Sequence, residues 1–331
     1  MAKVTVILNS YNQENFFEDA IKSVLNQTFN DFELLISENG STDNSKNIMN
    51  KYKSDPRVKL LDYKDNDVIG KRFNQAIEKS SGDYISFLYS DDYIDKNKLT
   101  LQMNEFEKLP DNYGIIYSDV IIFNEYSKSK TIRKVIKCDG WSLKSQLENI
   151  HLYGHIDMVS PIIKKKCLIG HKFLEHIFAE GEGILLRIAQ DYKFKYLPGQ
   201  LAYFRDTKFN KGKAILKNLN FHNETLKILE KNITNKNPKI LDSLKKYKFY
   251  FMQNVAWGNL RANGNIEETN KIFSEIMNLK NLKFYNLKTF LIFFIKKLPK
   301  RILLFLNLTF DKILNIKTNN IFIENYGGKN R

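Results

Sequence analysis

Short apolar runs that end in polar residues alternate, through the amino-terminal part of the chain, with stretches of three- and four-residue apolar spacing. Residues 3–12, Lys-Val-Thr-Val-Ile-Leu-Asn-Ser-Tyr-Asn, read as a buried strand closing in a polar turn. Glu14 to Asn26 follows with Phe17, Ala20, Ile21, Val24 and Leu25 on one helical stripe. Phe32 to Ser37 is a second strand and runs into the loop Glu38-Asn39-Gly40-Ser41-Thr42-Asp43. A later apolar run, Tyr84-Ile85-Ser86-Phe87-Leu88, gives way to a turn carrying Asp91 and Asp92, and Asp95 to Glu107 again has helical spacing. Strands alternating with helices predict an α/β fold with parallel strands joined by crossovers.

The carboxylate pair is the first candidate for chemistry. Ligands of open α/β sheets bind at the carboxyl ends of the strands, which is where Asp91 and Asp92 stand. Two hard oxygen ligands side by side suit a divalent cation holding phosphates. The same pair also reads as a turn former or as the cap of the helix that follows.

Five landmarks decide between those readings. The strand over residues 3–12, the turn Ser10-Tyr11-Asn12, the helix end Ser23-Val24-Leu25-Asn26-Gln27-Thr28, the loop Asn39-Gly40-Ser41-Thr42-Asp43 and the doublet Asp91-Asp92 occur in an order that resembles the family 2 inverting glycosyltransferases. The resemblance implies a GT-A type nucleotide-binding mixed sheet flanked by helices. It implies nucleotide-binding roles for Asn9 and for Tyr11, whose ring would stack on the base. Asn39 stands where the family more often has Asp to accept the imide hydrogen of uracil, so a UDP-sugar is the first choice of donor. Lys71 and Arg72 lie where relatives place a cation on the diphosphate. Asp92 would coordinate Mg²⁺ or Mn²⁺, and Asp91 would touch the ribose or the metal's water shell. Tyr89 occupies a position where many relatives have a further Asp.

The acceptor side departs from the family. Inversion needs a carboxylate that takes the acceptor proton, and relatives supply an Asp six residues before an Arg; here that position is Gly181, six before Arg187. Glu180 and Glu182 flank it, and the neighbouring glycines make the helix entry pliable enough for either to serve as base. Both also suit a helix N-terminus without any catalytic role. Lys195 to Arg205 resembles the closing strand of the family's catalytic domain, which places the domain end near residue 210.

Charge adds a partner. Lys and Arg outnumber Asp and Glu by 52 to 37, a formal net charge of +15, which draws the molecule to anionic partners. No interleaving of basic and aromatic residues and no nucleic-acid motif accompanies it, so nucleic acid is not the expected partner and a membrane surface is. Two cysteines, Cys138 and Cys167, stand in no metal-binding spacing and read as inert core thiols of a cytoplasmic protein. Residues 211–280 have the spacing of a helical appendage, with helices expected over Ala214–Asn232, Pro238–Asn263 and Ile266–Leu279. In the tail, 281–331, the apolar runs 290–295 and 302–306 flank a basic segment, too short to span a bilayer and suited to lying in its inner interface. The expectation is a metal-dependent inverting transferase moving a hexose or N-acetylhexosamine from a UDP-sugar onto a lipid-linked surface glycan, the alternatives being a protein-glycosylating transferase or a catalytically degenerate nucleotide-sugar-binding protein.

Overall fold

The computed structural model describes residues 2–176, 182–207, 226–232 and 238–262, with Asn270 and Ser274. The contacts divide these into two units: the residues up to Gln146 with His155–Thr207, and Leu147–Gly154 with the described residues beyond 207. The first unit is built on one mixed sheet.

Its first half is the predicted parallel layer. β1 (Val4–Ser10) lies between β2 (Phe32–Asn39) and β4 (Tyr84–Tyr89), and β3 (Val58–Tyr63) adds outside β2, all parallel. Every residue of β1 and β2 is buried, as expected of strands covered on both faces. Val4, Val6 and Leu8 pack with Phe17, Ala20, Ile21 and Val24 of α1 (Phe17–Leu25). On the other side α3 (Ile69–Lys79) brings Phe73 to 4.6 Å from Phe87 and 5.2 Å from Phe173, ring centroid to centroid. Helix α2 (Ser45–Asn50) joins β2 to β3.

The second half is not legible as simple alternation. β9 (Ile162–Lys164) inserts antiparallel between β4 and β6 (Tyr113–Asn124), with Ile162 opposite both Ser86 and Ile116. Beyond Ile162 the ladder stops, and polar side chains bridge the seam. The Ser160 hydroxyl donates to Ser118 O at 2.7 Å and accepts from Ser118 N at 2.8 Å. β10 (Lys193–Asp206) runs parallel to β6, and the two-residue β5 (Tyr93–Ile94) pairs antiparallel with β10. β7 (Lys130–Arg133) pairs with β6, and β8 (Asp139–Gly140) with β10.

Two helices start later than the spacing predicts. α1 opens at Phe17 because Glu14 and its neighbours are engaged by the loop after β2. α4 (Lys98–Phe106) opens three residues after Asp95, whose carboxylate takes the Asn97 N–H at 2.8 Å in a turn. In the second unit, residues 226–232 and Leu241–Ala262 are helical, the latter preceded by a 3₁₀ turn at Pro238–Ile240. The helix expected over Ile266–Leu279 and the basic tail lie outside the described residues, apart from Asn270 and Ser274. Among the described residues no helix is long and apolar enough to cross a membrane.

Candidate functional site

In the parallel layer Asn9 is in register with Ser37 and Tyr89, and Ser10 with Glu38. The carboxyl ends of β1, β2 and β4 therefore stop at one level, and the doublet follows directly on β4. Neither carboxylate caps a helix, since α4 begins at Lys98. Asp92 is 1% exposed. Its Oδ1 accepts the Arg205 backbone N–H at 2.8 Å, while its Oδ2 is buried with no partner among the described residues. Asn9 Oδ1, Ser10 Oγ and Ser37 Oγ, at the same strand ends, are also buried without partners. Buried polar atoms are nearly always satisfied, so these four are exceptions, and all four stand at the strand ends.

Electrostatics single out Asp92. Burial, then the neighbouring Asp91 and Asp157, push its carboxyl well above the ordinary carboxylate range, against the pull of the Arg205 N–H and of Arg133. Arg133, on β7, pairs with Asp157 at 2.5 Å. Burial, and then the same guanidinium, hold the His155 imidazole down at about 4. Sequence reasoning did not find Asp157 or Arg133. No motif carries them, and only the antiparallel return through β9 brings Asp157 near the doublet.

Two loops form the wall beside β1. Asn12, in the left-handed region at φ 53°, accepts the Thr42 N–H at 2.8 Å and donates its own N–H to Ser41 Oγ at 2.9 Å. Glu14 N–H bonds Asp43 Oδ2, and Asn44 N–H bonds Glu14 Oε2, both at 2.9 Å. Burial raises Asp43, but the hydrogen bonds from Ser45 and Glu14 outweigh it and hold the carboxyl below its usual range. Gly40, at φ 75°, is required twice over: a Cβ there would lie 2.6 Å from the Asp65 carbonyl carbon. Tyr11 sits half-buried at the head of this wall.

Three predicted nucleotide contacts are engaged within the protein. Asn39 Oδ1 accepts from Arg72 Nε at 2.7 Å and from Asp67 N at 3.0 Å, and its amide donates to Asn66 Oδ1 and Asp67 O, both at 2.9 Å. Arg72 is 5% exposed, lies over the Tyr63 ring at 3.8 Å and also bonds Asp65 O. Lys71 pairs with Asp67 at 2.7 Å and keeps its ammonium partly in solvent. In this arrangement Asn39 and Arg72 shape the β3–α3 loop, and Lys71 is the more accessible cation.

On the acceptor side, Asn74 of α3 brackets Phe173, accepting its N–H and donating to its C=O, both at 3.0 Å. This fixes the segment leading toward the expected base. Glu180 and Gly181 lie outside the described residues, and for Glu182, the first residue of the helix Glu182–Ile188, the description covers the backbone only. Of the two cysteines, Cys167 is buried and burial pushes its thiol up to about 12, while Cys138 is half-buried; both are free.

The sequence model for glycosyl transferase family 2 matches residues 5–174, more than half of the 331-residue chain. The chain belongs to glycosyl transferase family 2. The chain is 31% identical, over 59% of its length, to the GalNAc(5)-diNAcBac-PP-undecaprenol beta-1,3-glucosyltransferase of Campylobacter jejuni, covering 62% of that protein. It is 38% identical over 32% of its length to a chondroitin synthase of Pasteurella multocida, covering 11% of it. The chain spans less than two thirds of these curated relatives. Among solved structures it superposes on residues 1–349 of S. aureus TarS in complex with UDP-GlcNAc, with a TM-score of 0.53, 16% identity and 84% and 89% of the two chains covered. It also superposes on the mannosyltransferase PcManGT from Pyrobaculum calidifontis in complex with GDP-Man and Mn²⁺, with a TM-score of 0.60, 12% identity and 97% and 83% covered. These likenesses establish the GT-A fold expected from the landmarks.

Proposed function

We propose that this glycosyltransferase moves a hexose or N-acetylhexosamine from a UDP-sugar, with inversion, onto a lipid-linked bacterial glycan. The observation that carries the reading is Asp92 Oδ2, a buried carboxylate oxygen without a protein partner beside a second carboxylate at the end of β4. The donor set fits Mg²⁺ or Mn²⁺ shared with a pyrophosphate. Among the described residues no three His, Cys, Asp or Glu side chains gather, and such a cation commonly rests on one or two carboxylates plus substrate phosphates. The Mn²⁺ bound by PcManGT and the UDP-GlcNAc bound by TarS support the cation and the donor class. The undecaprenol-linked substrate named for the Campylobacter jejuni relative supports the acceptor class.

When bound, the cation supplies positive charge to the leaving diphosphate as the glycosidic bond breaks. The chain's own residues do the rest. Asp92 and Asp91 hold the cation and the ribose side. Tyr11 offers a face to the base, with Asn9 beside it. Asn39 and Arg72 keep the loop before α3 in place so that Lys71 faces the phosphates. An acceptor hydroxyl attacks the anomeric carbon from the side opposite the diphosphate, its proton passes to Glu182 or Glu180, and the nucleoside diphosphate departs.

Calorimetry with a panel of nucleotide sugars, with and without Mn²⁺, tests the reading on the unaltered protein and on Asp92→Asn. The expected result is UDP-sugar binding strengthened by Mn²⁺ and a loss of that strengthening in the variant. Equal binding by both proteins refutes it.

A further inference from the structure

We propose that Arg205 is a positioning residue, which sets the Asp91-Asp92 turn from β10 without touching the donor. The inference rests on the doublet being the cation and diphosphate site. Arg205 meets the turn twice: its backbone N–H donates to Asp92 Oδ1 at 2.8 Å, and its side-chain Nε donates to the Asp91 carbonyl at 2.9 Å. The first bond orients one carboxylate oxygen into the protein and leaves Oδ2 for a ligand. The second fixes the peptide between the two acidic residues.

The guanidinium is itself held. Nη1 donates to Glu125 Oε2 at 2.7 Å, in the loop after β6, and Nη2 to Asp19 Oδ2 at 3.3 Å, on α1. The rings of Phe16, Tyr93 and Phe123 lie 4.7, 5.4 and 5.8 Å from its central carbon, and the side chain is 9% exposed. A cation bonded by two carboxylates and a carbonyl and covered by three rings has its directions fixed. Reaching a pyrophosphate would break a charge-assisted bond at each step.

The neighbouring ladder explains why a clamp is needed. β5 joins β10 through only two residue pairs, Tyr93 with Tyr203 and Ile94 with Ala202. The chain reaches β5 directly from the doublet, so the turn has little sheet of its own to rest on. Arg205 extends the β10 contact across it.

The test uses the full chain with Mn²⁺ and UDP as probes. Arg205→Ala, Arg205→Lys, Glu125→Ala, the Arg205→Ala/Glu125→Ala double variant and Asp92→Asn are titrated by calorimetry with UDP alone and then with Mn²⁺ in the presence of UDP. Arg205→Ala keeps the backbone N–H bond to Asp92 and removes the Nε bond that fixes the turn carrying it; losing such outer support of a metal ligand weakens the metal by roughly 10- to 100-fold. The expected result is a loss of Mn²⁺ affinity of about tenfold in Arg205→Ala, with partial recovery in Arg205→Lys. Glu125→Ala should show a smaller loss, and the double variant should be no worse than Arg205→Ala, because both act along one path. UDP affinity without metal should stay within about twofold of the unaltered protein's.

A comparable loss of metal-free UDP affinity in Arg205→Ala makes Arg205 a donor contact and overturns the proposal. So does unchanged Mn²⁺ affinity in Arg205→Ala and Glu125→Ala. If Arg205→Ala does not fold, Arg205→Lys and Glu125→Ala decide the question by the same readouts. Asp92→Asn separates the two layers: retained Mn²⁺ binding there sinks the donor-site reading itself. Lost binding there, with Arg205 and Glu125 variants unaffected, sinks only the clamp.

Discussion

Glu33 offers a quantitative test of how the parallel layer is tied together. Its carboxylate, 4% exposed on β2, accepts the Thr5 hydroxyl of β1 at 2.6 Å and the Ser81 N–H before β4 at 2.6 Å, and pairs with Lys59 of β3 at 2.6 Å. Burial pushes the carboxyl up, but the bonds from Lys59, Ser81 and Thr5 outweigh it and bring it from 4.5 down to about 2. A carboxyl lowered on folding stabilises the protein above its unfolded pKa, and the contribution drains away as pH falls from about 4.5 toward about 2. The full difference corresponds to about 3 kcal/mol at pH 7. Lys59 is 52% exposed, so water screens its share and about 2 kcal/mol is the working figure. Urea unfolding of the unaltered protein and of Glu33→Gln should therefore differ by about 2 kcal/mol at pH 7 and by less than half of that at pH 3. A gap that is the same at both pH values, or absent at pH 7, would falsify this account of Glu33.

Other perturbations read out the site. Gly40→Ala places a side chain in a left-handed backbone at about 1–2 kcal/mol, with a clash against Asp65 in addition; the unfolding midpoint should drop and UDP affinity with it. Asn39→Leu leaves the buried Arg72 Nε and the Asp67 N–H without acceptors, which should cost about 3 kcal/mol; an unchanged midpoint by thermal denaturation removes the structural role of this amide. Separate Glu180→Gln and Glu182→Gln variants should show a fall in kcat of about 100-fold or more in one of them, and full turnover in both removes the carboxylate-base proposal. Deleting residues 281–331 should move the protein from the membrane pellet to the supernatant on cell fractionation; a truncated protein still wholly in the pellet counts against an interfacial tail.

What the sequence showed and what it hid follow from the range of the interactions involved. β1, α1, β2 and β4 were legible because each buries a continuous or helically spaced apolar set, a property of neighbours in the chain. The doublet was legible because it sits at the end of such a run. Arg72 illustrates the limit. The family resemblance sends a cation at that place to the diphosphate, whereas the Tyr63 ring and the Asn39 amide that engage it come from β3 and β2. Asp157 was invisible for the same reason, since its place beside Asp92 depends on the antiparallel β9 entering a sheet whose earlier strands are parallel. Arg205 was visible as a basic residue in a closing strand, but its bonds to Asp91 and Asp92 span more than a hundred residues of chain.

The family match ends at residue 174, before β10 begins at Lys193. A protein trimmed to the matched stretch would keep both acidic residues and lose the strand that aims them. During synthesis the same dependence imposes an order: the acidic turn emerges from the ribosome early, and it acquires its final shape only after Arg205 has followed. Expression designs and chimeras that exchange sugar-nucleotide modules among such enzymes should accordingly be cut after residue 207, not at the motif boundary.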